Sequence, residues 1–173
     1  MKIEKTLTIK TDRENIFADC KKFSELVDVS WYGARDGQNN ESKKREQQLC
    51  GKISEFLVWN YLNHIGITCS KPDLSVYGTS RKSWGADLIC GDELFEVKSI
   101  SEGKDSWIIQ TKSKYDLGLN IALIEVCKPF EKLEGKLFGI YKWSDLSLIL
   151  KPSRLYPKTK SAVYKEDLYL IYG

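Results

Sequence analysis

The chain has 173 residues, the length of one domain and enough to bury a core without staples. Hydrophobic residues make up 42% and charged residues 29%, and no apolar run reaches the length of a membrane span, so a soluble globular protein is expected. The net charge of +3 permits a polyanionic partner without demanding one.

The first ten residues alternate apolar and polar and lack the continuous apolar stretch of a signal peptide. Cys20, Cys50, Cys69, Cys90 and Cys127 are odd in number, widely spaced and free of any C-x-x-C. Free thiols in a cytoplasmic protein are therefore expected, with neither a zinc site nor a disulfide framework.

Residues 2–10 read as an amphipathic strand. A helix is predicted over 12–27, with Asp12 as N-cap and Ile16, Phe17, Cys20, Phe23 and Leu26 or Val27 on one face. Residues 33–42 have the composition of a loop. A long helix is predicted over 42–65, ended by Gly66. Leu49, Ile53, Phe56, Leu57 and Asn60 form one stripe on it, and Val58, Trp59 and Leu62 lie opposite. A helix apolar nearly all round is buried between layers.

Residues 67–69 suggest a short strand, and 71–84 a loop rich in Pro, Gly, Ser and basic residues. Strands follow over 86–90 and 93–100, around Gly91-Asp92, and then over 107–110, 121–127 and 137–142. A short helix is expected over 143–146, with Ser144 as N-cap, and an edge strand in the tail. These elements make an α/β domain with a central mixed sheet flanked by helices. A single domain is expected over 1–173, with a basic extension from about 151.

Basic residues cluster at Lys43-Lys44-Arg45, at Arg81-Lys82, at Lys104, Lys112 and Lys114, and at Lys151, Arg154, Lys158, Lys160 and Lys165. Such clusters are either a footprint for phosphate or an ordinary solvated surface. The one histidine, His64, is expected near the end of the long helix, in a capping position. The five tryptophans are expected in the core, although Trp84 and Trp107, which flank the segment described next, have the alternative of stacking on bases.

The segment that carries chemistry runs from Trp84 to Lys98. Gly91-Asp92 suits a two-residue type II′ hairpin loop, with Gly at the first central position. That loop pairs Cys90 with Glu93, so Asp87 faces Glu96 across the hairpin. Cross-strand partners share one side of the sheet, with Cβ atoms about 5 Å apart. By the period of two, Lys98 joins that side, while Phe95 and Val97 point to the core. Two carboxylates that close repel unless a cation lies between or beside them. Oxygen ligands favour Mg²⁺ or Mn²⁺ over zinc, and an ammonium alongside can hold a water for attack on a phosphodiester.

Asp87-(x)₈-Glu96-Val97-Lys98 resembles the D-(x)n-(D/E)-x-K signature of the PD-(D/E)XK, restriction-endonuclease-like nucleases. The helix segment from Gly51 to Leu62 resembles the first core helix of that superfamily, where Glu55 would contribute to a metal site; the alternative for Glu55 is a salt bridge. Gln110 matches a glutamine that many members carry after the lysine. The likeness covers about residues 42–127. It departs at Ala86, where members have proline, and Pro72-Asp73 leaves Asp73 as a second candidate for the first acidic element.

The resemblance implies a restriction-endonuclease-like core and a Mg²⁺-dependent endonuclease acting on DNA, with Mn²⁺ able to substitute. Asp87, Glu96, the Val97 carbonyl and Glu55 would serve the metal, Lys98 the attacking water, and Gln110 would be auxiliary. No organic cofactor and no membrane partner are implied. One site per chain suggests a homodimer if both strands are cut. The competing expectations are a catalytically silent nucleic-acid-binding module of the same fold, and a structure-specific or RNA-cutting nuclease.

Overall fold

The computed structural model describes residues 2–9, 12–27, 40–77, 86–109, 118–158 and 160–171. The first elements are β1 (Lys2–Thr8), α1 (Arg13–Leu26) and α2 (Glu41–His64), followed by the hairpin β2 (Leu88–Cys90) and β3 (Glu93–Ser101). After β4 (Ser106–Ile109) come β5 (Asn120–Val126), β6 (Glu134–Lys142) and the one-turn helix α3 (Trp143–Leu146). The chain continues through β7 (Lys151–Pro152) and β8 (Ser161–Tyr164) into a 3₁₀ turn over Lys165–Ile171.

Five strands form the main sheet in the order β1-β6-β5-β3-β2. β3 and β5 run parallel, and the other neighbours run antiparallel. The fold is therefore α/β around a mixed sheet. β4 leaves the crossover between β3 and β5 and joins β8 and β7 in a smaller antiparallel sheet.

β5 shows why one strand can be apolar at almost every position. Ala122, Ile124 and Val126 pack on one face of the sheet with Ile53, Phe56, Leu57 and Leu62 of α2. Ile121 and Leu123 pack on the other face with Trp107, Ile109, Phe138 and Val163. A strand covered on both faces needs no polar alternation. Trp107 is 1% exposed. Its Nε1–H donates to the Ile124 carbonyl at 3.0 Å, and its ring meets Phe138 edge-on at 5.1 Å. Trp107 is thus a core residue joining the two sheets, and the base-stacking alternative is set aside for it. Trp84 lies outside the described residues.

α2 starts one residue before the predicted position. The Asn40 side chain caps it by accepting from the Lys43 N–H at 3.1 Å, and Gly66, at φ +88°, turns the chain away at its end. Every residue from Ile53 to Val58 is buried, as a helix between layers requires. His64 sits exposed in the last turn. α1 buries Ile16, Cys20 and Phe23 as expected, and Asp12 stands at its N-cap position, its carbonyl accepting from the Ile16 N–H at 3.0 Å, although its side chain makes no capping bond. Asp12 adopts a left-handed conformation at φ 54°, and its carboxylate accepts from the Asn15 side chain instead of a backbone N–H. Ser144 falls inside α3, whose N-cap position is Lys142.

Two further expectations are corrected. Residues 67–77 form no strand. The segment runs beside β2, with the Ser70 N–H donating to the Ile89 carbonyl at 2.8 Å and the Ser70 hydroxyl accepting from the Ile89 N–H at 3.0 Å. This alignment brings Cys69 beside Cys90, and the two form a disulfide. Cys20, Cys50 and Cys127 remain free thiols. The tail does supply an edge strand, β7, which pairs with β8 in the second sheet, and it then ends in the 3₁₀ turn. No helix among the described residues is long and apolar enough to cross a membrane.

Candidate active site

The hairpin forms in the predicted register, with Leu88 opposite Phe95, Ile89 opposite Leu94 and Cys90 opposite Glu93. Gly91 takes a positive φ of 62°, and Asp92 does not. A positive φ at the first central residue alone is the mark of the II′ turn over I′. Asp87 lies one step before β2. Its Oδ2 accepts from the Val97 N–H at 2.7 Å, which fixes the carboxylate against the residue between Glu96 and Lys98. Phe95 and Val97 face α2, while Glu96 and Lys98 take the intervening positions, where Lys98 Nζ donates to Glu96 Oε1 at 2.6 Å.

α2 brings a third carboxylate. Glu55 is only 8% exposed, and Lys52, one turn earlier, reaches both of its oxygens at 2.8 and 3.1 Å. The salt bridge expected as the alternative for Glu55 is therefore present. Burial first, then repulsion from Asp87, pushes the Glu55 carboxyl up to about 8, against the pull of Lys52; Glu96 adds a smaller push. Asp87 is raised as well, by burial and then by the Glu96 charge, against the Val97 N–H, Lys98 and Lys52. Glu55, Asp87 and Glu96 thus share one electrostatic neighbourhood with Lys52 and Lys98.

Lys52 was missed in the sequence, although its signal was there. Residues three apart on a helix are neighbours, so a lysine at that spacing from a buried glutamate is its natural partner.

Asp73 does not join the patch opposite Glu96. It is exposed in the 67–77 segment, where it accepts from the Ser75 N–H at 2.8 Å and from the Tyr77 hydroxyl. Partial burial pushes its carboxyl up, but the bonds from Tyr77 and Ser75 outweigh that and leave it lowered. The hairpin brings Asp87, rather than Asp73, beside the Glu96-Val97-Lys98 run. Gln110 lies outside the described residues, as do Arg81, Lys82, Lys112 and Lys114.

Several of the basic residues read as a phosphate footprint are engaged elsewhere. Arg45 pairs with Glu41 at 2.7 Å and donates to the carbonyls of Ser24, Glu25 and Val27, holding the end of α1. Lys44 is buried. Arg154 bridges Asp105 at 2.8 Å and Glu166 at 3.0 Å. Lys151 pairs with Asp167 at 2.6 Å, and Lys165 with Glu125. The other Asp167 oxygen is buried without a hydrogen-bond partner.

The donors at the Asp87 patch are all oxygens, which suits a hard divalent cation. Among the described residues, no three His, Cys, Asp or Glu side chains form a ready-made metal cage. Mg²⁺ does not require one, since it keeps several waters and binds through one or two carboxylates. Comparison with known proteins finds no match: no family model, no curated protein and no solved structure aligns with this chain.

Proposed function

We propose that this chain is a Mg²⁺-dependent nuclease with a restriction-endonuclease-like core, which hydrolyses DNA phosphodiester bonds. The observation that carries the reading is the closure of Asp87…Glu96-Val97-Lys98 into one patch, through the Asp87–Val97 hydrogen bond and the Glu96–Lys98 pair. The α2 helix packed on the mixed sheet, with Glu55 near enough to be raised by the Asp87 and Glu96 charges, supports it.

Asp87 and Glu96, with the Val97 carbonyl, would hold the cation. Mg²⁺ or Mn²⁺, when bound, supplies a Lewis acid and a more acidic water. The Val97 N–H orients the Asp87 carboxylate. Glu96 holds the Lys98 ammonium beside it, where Nζ can donate to the attacking water and offset charge gathering on the phosphate oxygens. The burial that raises Asp87 and Glu55 also lowers the local dielectric, which strengthens each of these interactions. DNA is favoured over RNA because most of the superfamily that the motif resembles cuts DNA. Cutting both strands would take two copies of the chain.

The test is incubation with supercoiled plasmid in Mg²⁺, in Mn²⁺ and in EDTA, beside Lys98→Ala. Metal-dependent cleavage by the wild type, lost in the variant, is the expected result. DNA binding without cleavage under either metal would replace this reading with a silent binding module. Cleavage of RNA alone would change the substrate and keep the chemistry.

A further inference from the structure

We infer that Lys52 is a built-in cation standing where a second metal ion would otherwise be needed, so that Glu55 positions the acidic patch instead of ligating metal. The inference rests on the nuclease reading and concerns how many divalent ions that site takes.

The geometry is that of a fixed ion pair. Lys52 Nζ reaches both Glu55 oxygens, at 2.8 and 3.1 Å. Both residues belong to α2, one turn apart, so the helix itself sets their spacing. The side chains are 16% and 10% exposed. On its other side the ammonium lies over the Phe23 ring of α1, 4.9 Å from the centroid, a placement that favours a cation. Lys52 is therefore held between a carboxylate and an aromatic face supplied by two packed helices.

Lys52 spans both Glu55 oxygens, so a metal ion taking Glu55 would have to displace the ammonium or lie against it, like charge to like charge. Breaking a buried pair from one side is strongly unfavourable. Asp87 and Glu96 are differently placed. One is held by a backbone N–H and the other by Lys98, whose stem reaches the site from the same strand.

The experiment is calorimetric titration of the full chain with Mn²⁺, without nucleic acid, so that the readout is stoichiometry and not activity. The expected result is one Mn²⁺ per wild-type chain, one in Glu55→Gln, and two in Lys52→Gln, where Glu55 is released to ligate. Asp87→Asn should weaken binding by about 100-fold or more. Circular dichroism checks that each variant is folded. If Lys52→Gln is not, Lys52→Arg must still bind one ion and Glu55→Gln must keep its own.

Two ions on the wild type would overturn the inference while leaving the nuclease reading intact. Loss of binding in Glu55→Gln, or a folded Lys52→Gln that still takes one ion, would overturn it too. No Mn²⁺ on the wild type would overturn both.

Discussion

Around β8 the chain gathers cations and acids and matches them across the surface: Lys151 with Asp167, Arg154 with Asp105 and Glu166, Lys165 with Glu125. Between α2 and the β2–β3 hairpin, three carboxylates share a neighbourhood with two ammonium groups, and two of the carboxyls are pushed up by burial and by a neighbouring carboxylate. In the sequence the basic residues of the first region read as either a phosphate footprint or a solvated surface. In the fold its positive charge is spent on neighbours, and the electrostatic tension sits at the second. A run of basic residues is weak evidence for a polyanion until their partners are known. Carboxyls buried beside one another are a more specific signal of a functional site, because folding alone gains nothing from them.

The comparison breaks most sharply through activity. Asp87→Asn or Lys98→Ala should lower plasmid cleavage by about 10³-fold or more, the loss expected when charge stabilisation or proton handling at the reacting phosphate is removed. Cleavage rates within a few-fold of wild type would move the active site elsewhere.

The sheet that carries the first region is joined to the main sheet through Trp107, whose Nε1–H bonds the Ile124 carbonyl and whose ring meets Phe138. Trp107→Ala should cost about 3–5 kcal/mol of stability, read by urea unfolding. A cost below about 1 kcal/mol would mean that the smaller sheet is not part of the same cooperative unit.

The tension at the acidic patch should also appear as pH dependence. Glu55 is raised from 4.5 to about 8, so between those values the folded chain keeps a proton that the unfolded chain has released. In EDTA, this contribution to stability is complete below the lower value and is lost as the pH rises through the upper one. Stability should fall across that interval by up to about 1.4 kcal/mol per pH unit, and Glu55→Gln should flatten the slope. Urea unfolding at several pH values tests this, and a wild type as flat as the variant would refute it.

The smallest effect is expected around β8. Arg154→Ala removes two exposed ion pairs and should change stability by no more than about 1 kcal/mol, screened further by salt. It should leave DNA affinity unaltered in a filter-binding titration. A large loss of affinity would restore the basic tail as a nucleic-acid surface.

What the sequence determined by itself was local. Gly91-Asp92 specified the turn, the turn specified the register, and the register carried Asp87 to the Glu96-Val97-Lys98 run. The apolar residues of α2 and Gly66 at its end marked a buried helix, because periodicity and turn chemistry act over a few residues. Lys52 was equally legible, at one helical turn from Glu55, and was overlooked. The tertiary structure alone decided what depends on residues far apart in the chain. It placed Cys69 beside Cys90, buried Trp107 between the sheets, and set Arg154 against Asp105 and Lys165 against Glu125. No periodicity reports such pairings, since they arise only when strands and segments close upon one another and each charge or thiol meets whatever packing has brought near.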